Sequence, residues 1–357
     1  SSFASLRFAK SWLTDAPPLP GGARDKIALA DLASKLCFWG GIEAGNFSST
    51  GHCFDPALNT WSPITPTGAP AMRARHATVS SASELYIIGG DSGGTALNSV
   101  SRYNGFSWTT LATLPTGRTE MIYGYDPVTM RILVWGGRAN PSSLVPGNGH
   151  HFNGSGWNPV SNAPPITNRY QSAYAVHGGK LFVWGGGDLS ASVFGDGASY
   201  SFMATMWDTP ALSTLNAPGP RKNMAFTKVD NKLFIWGGED GLGNKFNDGA
   251  IYNMDTDTWT PLPALTVSVP AMSHSMATSD GTSVYVWGGI AAGNINTPAG
   301  FIYHPATNTY SMLTPQNAPL GVVEGSFKFF QGRFYMVGGR NTGDFAVNDV
   351  KAFGPPP

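Results

Sequence analysis

The chain has 357 residues, of which only 12% are charged, with 22 lysines and arginines against 22 aspartates and glutamates. Zero net charge supplies no basic field for nucleic acid or for an anionic membrane surface, and a 41% apolar and aromatic share is too high for a disordered chain. No run of 18 apolar residues occurs, so no membrane insertion is expected.

The chain starts Ser1-Ser2-Phe3, without an initiator methionine or a signal peptide, and reads as processed or trimmed. A segment from Phe8 to Trp12 precedes Pro17, Pro18 and Pro20. The stretch 23–39 is rich in Ala and Leu, and propensity alone makes it helix. It ends in Lys35-Leu36-Cys37-Phe38-Trp39-Gly40-Gly41, and an apolar run closed by two glycines recurs six more times, with second glycines at Gly90, Gly137, Gly186, Gly238, Gly289 and Gly339. The register against those later units makes 23–39 two strands with a turn at Ala33-Ser34. Runs such as Leu233-Phe234-Ile235-Trp236 are hydrophobic on both faces and belong to strands buried on both sides. The glycines permit positive φ where each strand ends. About twenty residues after each pair an aromatic residue closes a further strand, at Trp61, Trp108, Trp157, Trp207, Trp259 and Tyr310.

Each sheet must therefore pack against two neighbours, and seven such units predict an all-β, seven-bladed β-propeller of four-stranded antiparallel blades, one domain over residues 1–357. The last unit reaches a strand near Asn348–Phe353 and then stops without its closing aromatic. Trp12 supplies one. Residues near 9–15 are expected to form the outer strand of the seventh blade, which removes the open edges. All eleven tryptophans fall at the two register positions and read as packing residues rather than sugar-stacking platforms.

A repeat of about fifty residues with this pattern resembles kelch repeats, and the resemblance covers essentially the whole chain. It implies a ring whose inner strands line a central channel. It also implies that the loops joining successive blades share one ligand-binding face with the loops joining second and third strands. It implies no single activity, because resembling proteins include ubiquitin-ligase adaptors, actin binders, galactose-oxidase-like copper enzymes, sialic-acid mutarotases and plant specifier proteins.

The register also locates the channel mouth. A polar residue, usually arginine, leads each unit: Arg24, Arg73, Arg118, Arg169 and Arg221, replaced by Met272 and Val322 in the last two. These arginines read mainly as structural, and their loss predicts a less basic opening on that side. Two residues further on stand Lys26, Arg75, Glu120, Gln171, Asn223, His274 and Glu324, all polar. The residues after each glycine pair include Asp91, Arg138, Glu239 and Arg340. In an antiparallel hairpin the two positions lie side by side, which pairs Arg75 with Asp91, Glu120 with Arg138, and Glu324 with Arg340. These eleven residues form the expected ligand-binding set, a mouth of mixed charge suited to a small polar ligand, a glycan or a peptide.

Catalysis would need a base, a nucleophile or a metal there. His274 with Glu120 or Glu324 is the one acid–base constellation, as in a cofactor-free mutarotase- or epimerase-like sugar enzyme. His76 is expected to alternate away from the channel. No metal or cofactor motif is present: the two cysteines fit neither a zinc spacing nor a redox motif, and no cysteine accompanies ring tyrosines as a radical cofactor requires. Cys37 and Cys53 lie on neighbouring strands and read as buried free thiols rather than a bridge. The sequence therefore predicts a monomeric binding module, carbohydrate- or protein-directed, rather than an enzyme or an intracellular scaffold. Low charge with abundant Gly, Ser, Thr and Asn suggests a secreted or periplasmic setting, and Asn46-Phe47-Ser48 and Asn153-Gly154-Ser155 match the glycosylation pattern.

Overall fold

The computed structural model describes residues 11–13, 16–313 and 315–354. Among them, seven four-stranded antiparallel sheets carry the architecture, each beginning with an inner strand and ending with an outer one. The first is Ala30–Leu32, Lys35–Trp39, Gly51–Asp55 and Thr60–Pro63. The 23–39 segment is thus two strands, with the turn at Ala33. Burial overrides its helix propensity. Leu36 and Phe38 pack against Tyr335, Val337 and Val350 of blade 7, whereas Cys37 and Trp39 pack against Leu85, Ile87 and Trp108 of blade 2. Only a strand, with its period of two, puts alternate residues into two different interfaces.

The seventh blade joins the ends of the chain. Ser11–Leu13 pairs with Val350–Gly354, outside Arg333–Val337 and the inner strand Ser326–Phe330. Trp12 is 1% exposed and meets Trp287 of blade 6 edge-on, with ring centroids 5.4 Å apart. The same contact recurs around the ring, as in Trp39 with Trp108 at 4.9 Å and Trp184 with Trp259 at 5.3 Å. The outer tryptophans other than Trp12 also donate their indole N–H to the preceding blade, Trp108 to the Thr65 carbonyl and Trp259 to the Ser213 carbonyl. Burial and bonding of this kind make them packing residues.

The glycine pairs do more than turn the strand. The first glycine sits against the next blade: a Cβ on Gly40 would run into the Arg73 carbonyl, and one on Gly136 into the Arg169 carbonyl. The second glycine donates its N–H to that same carbonyl, Gly41 to Arg73 at 2.8 Å and Gly137 to Arg169 at 2.9 Å. The pair is therefore a seam between blades.

The five leading arginines stand sixteen residues ahead of their first glycine, or eighteen for Arg118, and their hydrogen bonds give the reason. Each reaches across its hairpin to the carbonyl of its own first glycine, Arg73 to Gly89 at 2.9 Å and Arg221 to Gly237 at 3.0 Å. Arg24, Arg118 and Arg169 do the same. All five are at most 1% exposed. The expected loss of basic character at Met272 and Val322 is thereby corrected, because buried arginines present no charge to the mouth in any blade.

The free-thiol reading of the cysteines is also corrected. Cys37 and Cys53 are directly opposed on paired strands, with Cα atoms 4.0 Å apart, and form a disulfide. Cross-strand register brings the two side chains together, a constraint that packing preference alone does not express.

Candidate functional site

Lys26, Arg75, Glu120, Gln171, Asn223, His274 and Glu324 form one ring around a single cavity of about 510 Å³. All seven have left-handed backbone, with φ between 52° and 57°. For a residue with a Cβ that conformation costs roughly 1–2 kcal/mol. Its repetition in every blade marks it as a property of the fold. It frees the backbone to bridge blades: Lys26 N–H donates to the Glu324 carbonyl, Glu120 to Arg75, Asn223 to Gln171 and His274 to Asn223. The twist also shifts the hairpin register by one. The residues opposite those after the glycine pairs are Ala74, Thr119, Lys222 and Val323 rather than the ring residues themselves.

Side chains nonetheless close the three expected ion pairs. Arg75 meets Asp91 at 2.9 Å, Arg138 meets Glu120 at 2.6 Å, and Arg340 meets Glu324 at 3.1 Å. They join into larger groups. Arg75 lies 3.9 Å from Glu120, and Lys26 lies 3.4 Å from Glu324. Arg340 also holds Asp25 at 2.9 Å, a carboxylate that is 1% exposed. Burial pushes the Asp25 carboxyl up from its ordinary pKa, and Arg340 opposes that shift. Blades 7, 1, 2 and 3 thus form a charged arc whose cations and anions face one another.

Blades 4 to 6 differ. Gln171, Asn223 and His274 are the ring residues there, and the one carboxylate, Glu239, is tied up locally. It pairs with Lys245 and accepts from Asn223 Nδ2 at 2.9 Å and from Ser273 Oγ at 3.0 Å. Burial works to raise the Glu239 pKa, but these hydrogen bonds overcome it and hold the carboxyl below its usual range. His274 Nδ1 lies 3.0 Å from Ser273 Oγ. Desolvation, the largest influence, lowers the His274 pKa, so the ring is neutral near pH 7. Its hydrogen-bond partner is Ser273, whereas Glu120 and Glu324, its expected acid–base partners, are held by cations.

Below the ring the wall turns apolar. Tyr123, Tyr174 and Phe226 line the cavity from blades 3, 4 and 5, with successive ring centroids 5.4 and 5.1 Å apart. Each stands five residues after its leading arginine, so the register could have found them. His76 also borders the cavity rather than turning from it, although both ring nitrogens are sealed from solvent and lack a partner among the described residues. Among the described residues no three His, Cys, Asp or Glu side chains are grouped so as to hold a metal ion.

Seven double-glycine hairpins, five of them with a buried arginine and six with an outer-strand tryptophan, define a β-propeller of kelch type. The family model for the KLHDC2/KLHL20/DRC7 kelch-repeats domain matches residues 127–339, and the kelch motif matches residues 72–115. The chain belongs to the kelch-repeat family. It is similar to beta-scruin of Limulus polyphemus, 24% identical over 59% of this chain and 24% of that protein. Kelch domain-containing protein 10 of Xenopus tropicalis is 29% identical over 40% of this chain and 36% of its own length. Acyl-CoA-binding domain-containing protein 4 of Arabidopsis thaliana is 25% identical over 71% of this chain and 40% of its own length. The chain thus spans between about a quarter and two fifths of these relatives. Kelch-repeat proteins generally act through binding to protein partners, and this chain is read within that class.

Proposed function

We propose that this protein is a recognition module that takes a peptide segment of a partner protein into the channel mouth. One observation carries the reading: all seven ring residues, one from each blade, converge on a single cavity of about 510 Å³ with a polar rim and an aromatic wall. Such a site orients an extended ligand by hydrogen bonds at the rim and desolvates one inserted side chain below. Partner-protein binding in the kelch family supports a peptide over a glycan. Glu120 and Glu324 are held by Arg138 and Arg340, which leaves His274 without the carboxylate partner that the sugar-enzyme reading requires.

A selection from a displayed peptide library tests this, with retained peptides measured against the wild-type protein and a Gln171→Ala, His274→Ala double variant. Peptides whose affinity falls at least tenfold in the double variant support the mouth as the site. Retention on a glycan array without any retained peptide would overturn it. For its setting we propose an oxidising compartment, secreted or periplasmic, on the strength of the Cys37–Cys53 disulfide, because such bonds persist where thiols are not kept reduced.

A further inference from the structure

The two arcs of the mouth offer a ligand different things. In the charged arc every cation already faces an anion, at 2.6 to 3.9 Å. A ligand charge could bind there only by displacing a partner, which would strand a partly buried ion. In the uncharged arc hydrogen-bonding atoms remain open. The Asn223 amide nitrogen donates one of its two protons to the Glu239 carboxylate, which fixes the orientation of the side chain and leaves Oδ1 without a partner among the described residues. Ser273 Oγ donates its single proton to Glu239 Oε2, so it can only accept from His274 Nδ1. The imidazole proton of the neutral ring therefore sits on Nδ1, and Nε2 is a bare acceptor. Gln171 differs: its Oε1 is sealed from solvent without a partner among the described residues, so Gln171 turns amide protons, not an acceptor, to the cavity.

Resting on the peptide reading above, we propose that Asn223 and His274, flanked by Gln171, are the recognition edge of the mouth and read uncharged hydrogen-bond donors, the hydroxyl and amide N–H groups of a partner segment. Two open acceptors on consecutive blades, Asn223 Oδ1 and His274 Nε2, call for donors. Glu239 and Glu324 act on His274 as negative neighbours and Lys245 and Lys222 as positive ones, so the charges around it balance and favour neither a cationic nor an anionic group. The charged arc then serves to hold the ring in register. This makes the site neutral in its demands although five charged residues line its cavity.

Three immobilised peptide pools test the assignment, with variable positions drawn from Ser, Thr, Asn, Gln and Gly, from Asp and Glu, or from Lys and Arg. The neutral pool should be retained, with an affinity nearly unchanged between 0.05 and about 0.5 M salt, because screening acts on charges. His274→Leu should weaken that binding about 3- to 10-fold, and His274→Gln, which restores an acceptor, should recover most of it. Thermal melts of both variants separate lost recognition from lost folding. Retention of a charged pool with steep salt dependence, or equal affinities for the leucine and glutamine variants, overturns the acceptor edge while leaving peptide binding intact. Retention of no pool removes the peptide reading itself, and this inference with it.

Discussion

Replacing His76 by phenylalanine should flatten the acid dependence of stability. The imidazole is 7% exposed, borders Gly40 and Gly90, and has no hydrogen-bond partner for either nitrogen among the described residues. Burial, assisted by the Arg73 guanidinium, lowers its pKa from 6.5 to about 3. In the unfolded chain the imidazole binds a proton near pH 6.5, and in the fold it stays neutral. The unfolded state therefore gains protons first, and the stability tied to this group is fully present above pH 6.5 and falls as the pH drops towards 3. Linkage makes the loss about 2 kcal/mol between pH 7 and pH 5 and roughly 4 kcal/mol by pH 3. Urea unfolding at both pH values, for wild type and His76→Phe, reads this directly as a shift in midpoint at constant slope. The wild type should lose about 2 kcal/mol more than the variant over the interval. The lowered pKa values of His52, His150, His151 and His274 act in the same direction, so some acid dependence survives in both proteins. Equal losses in the two proteins would show that His76 is hydrated or paired in the fold, and would refute the reasoning.

Trp12→Ala should destabilise the protein by about 3–5 kcal/mol, the range for a fully buried aromatic, because Trp12 packs on Trp287 and Phe353 to close the ring; a loss below about 1 kcal/mol in denaturant melts would mean that the terminal strand is dispensable. Gly40→Ala should cost clearly more than Gly178→Ala. Both have positive φ, but only Gly40 faces a neighbouring backbone, whereas nothing lies within 4 Å of Gly178, so equal midpoint shifts would remove the seam role of the glycine pair. Thiol titration in denaturant without reductant should find no reactive thiol, and reduction should lower stability by about 3 kcal/mol for a loop of 16 residues; two reactive thiols would contradict the bridge.

Most of the fold was legible because its determinants repeat. A double glycine recurs in all seven blades, with a buried arginine sixteen or eighteen residues ahead in the first five, and repetition outweighed the helix propensity of 23–39. Ring closure by Trp12 followed from one missing aromatic. The three ion pairs followed from hairpin geometry, although the pairing itself is offset by one because each ring residue turns left-handed. No residue type announces that turn: Lys, Arg, Glu, Gln, Asn and His all adopt it here, so the blade-to-blade hydrogen bonds dictate the conformation. The disulfide was misread because two cysteines on adjacent strands look alike whether bridged or free, and only the register Cys37 opposite Cys53 decides. The division of the mouth into a saturated and an open arc was hidden for a related reason. It depends on where Asp25, Ser273 and Lys245 point, and none of them occupies the repeated positions from which the ring was read.

Hydrogen exchange measured on the protein with and without a peptide selected from the neutral pool tests the central claim most directly. Binding in the mouth should slow exchange at the backbone amides that bridge the ring, those of Asn223 and His274 above all, with Lys26 and Glu120 following as the ring stiffens. Slowed exchange confined to the outer strands or to the opposite turns, with Asn223 and His274 unchanged, would contradict a recognition site at the channel mouth.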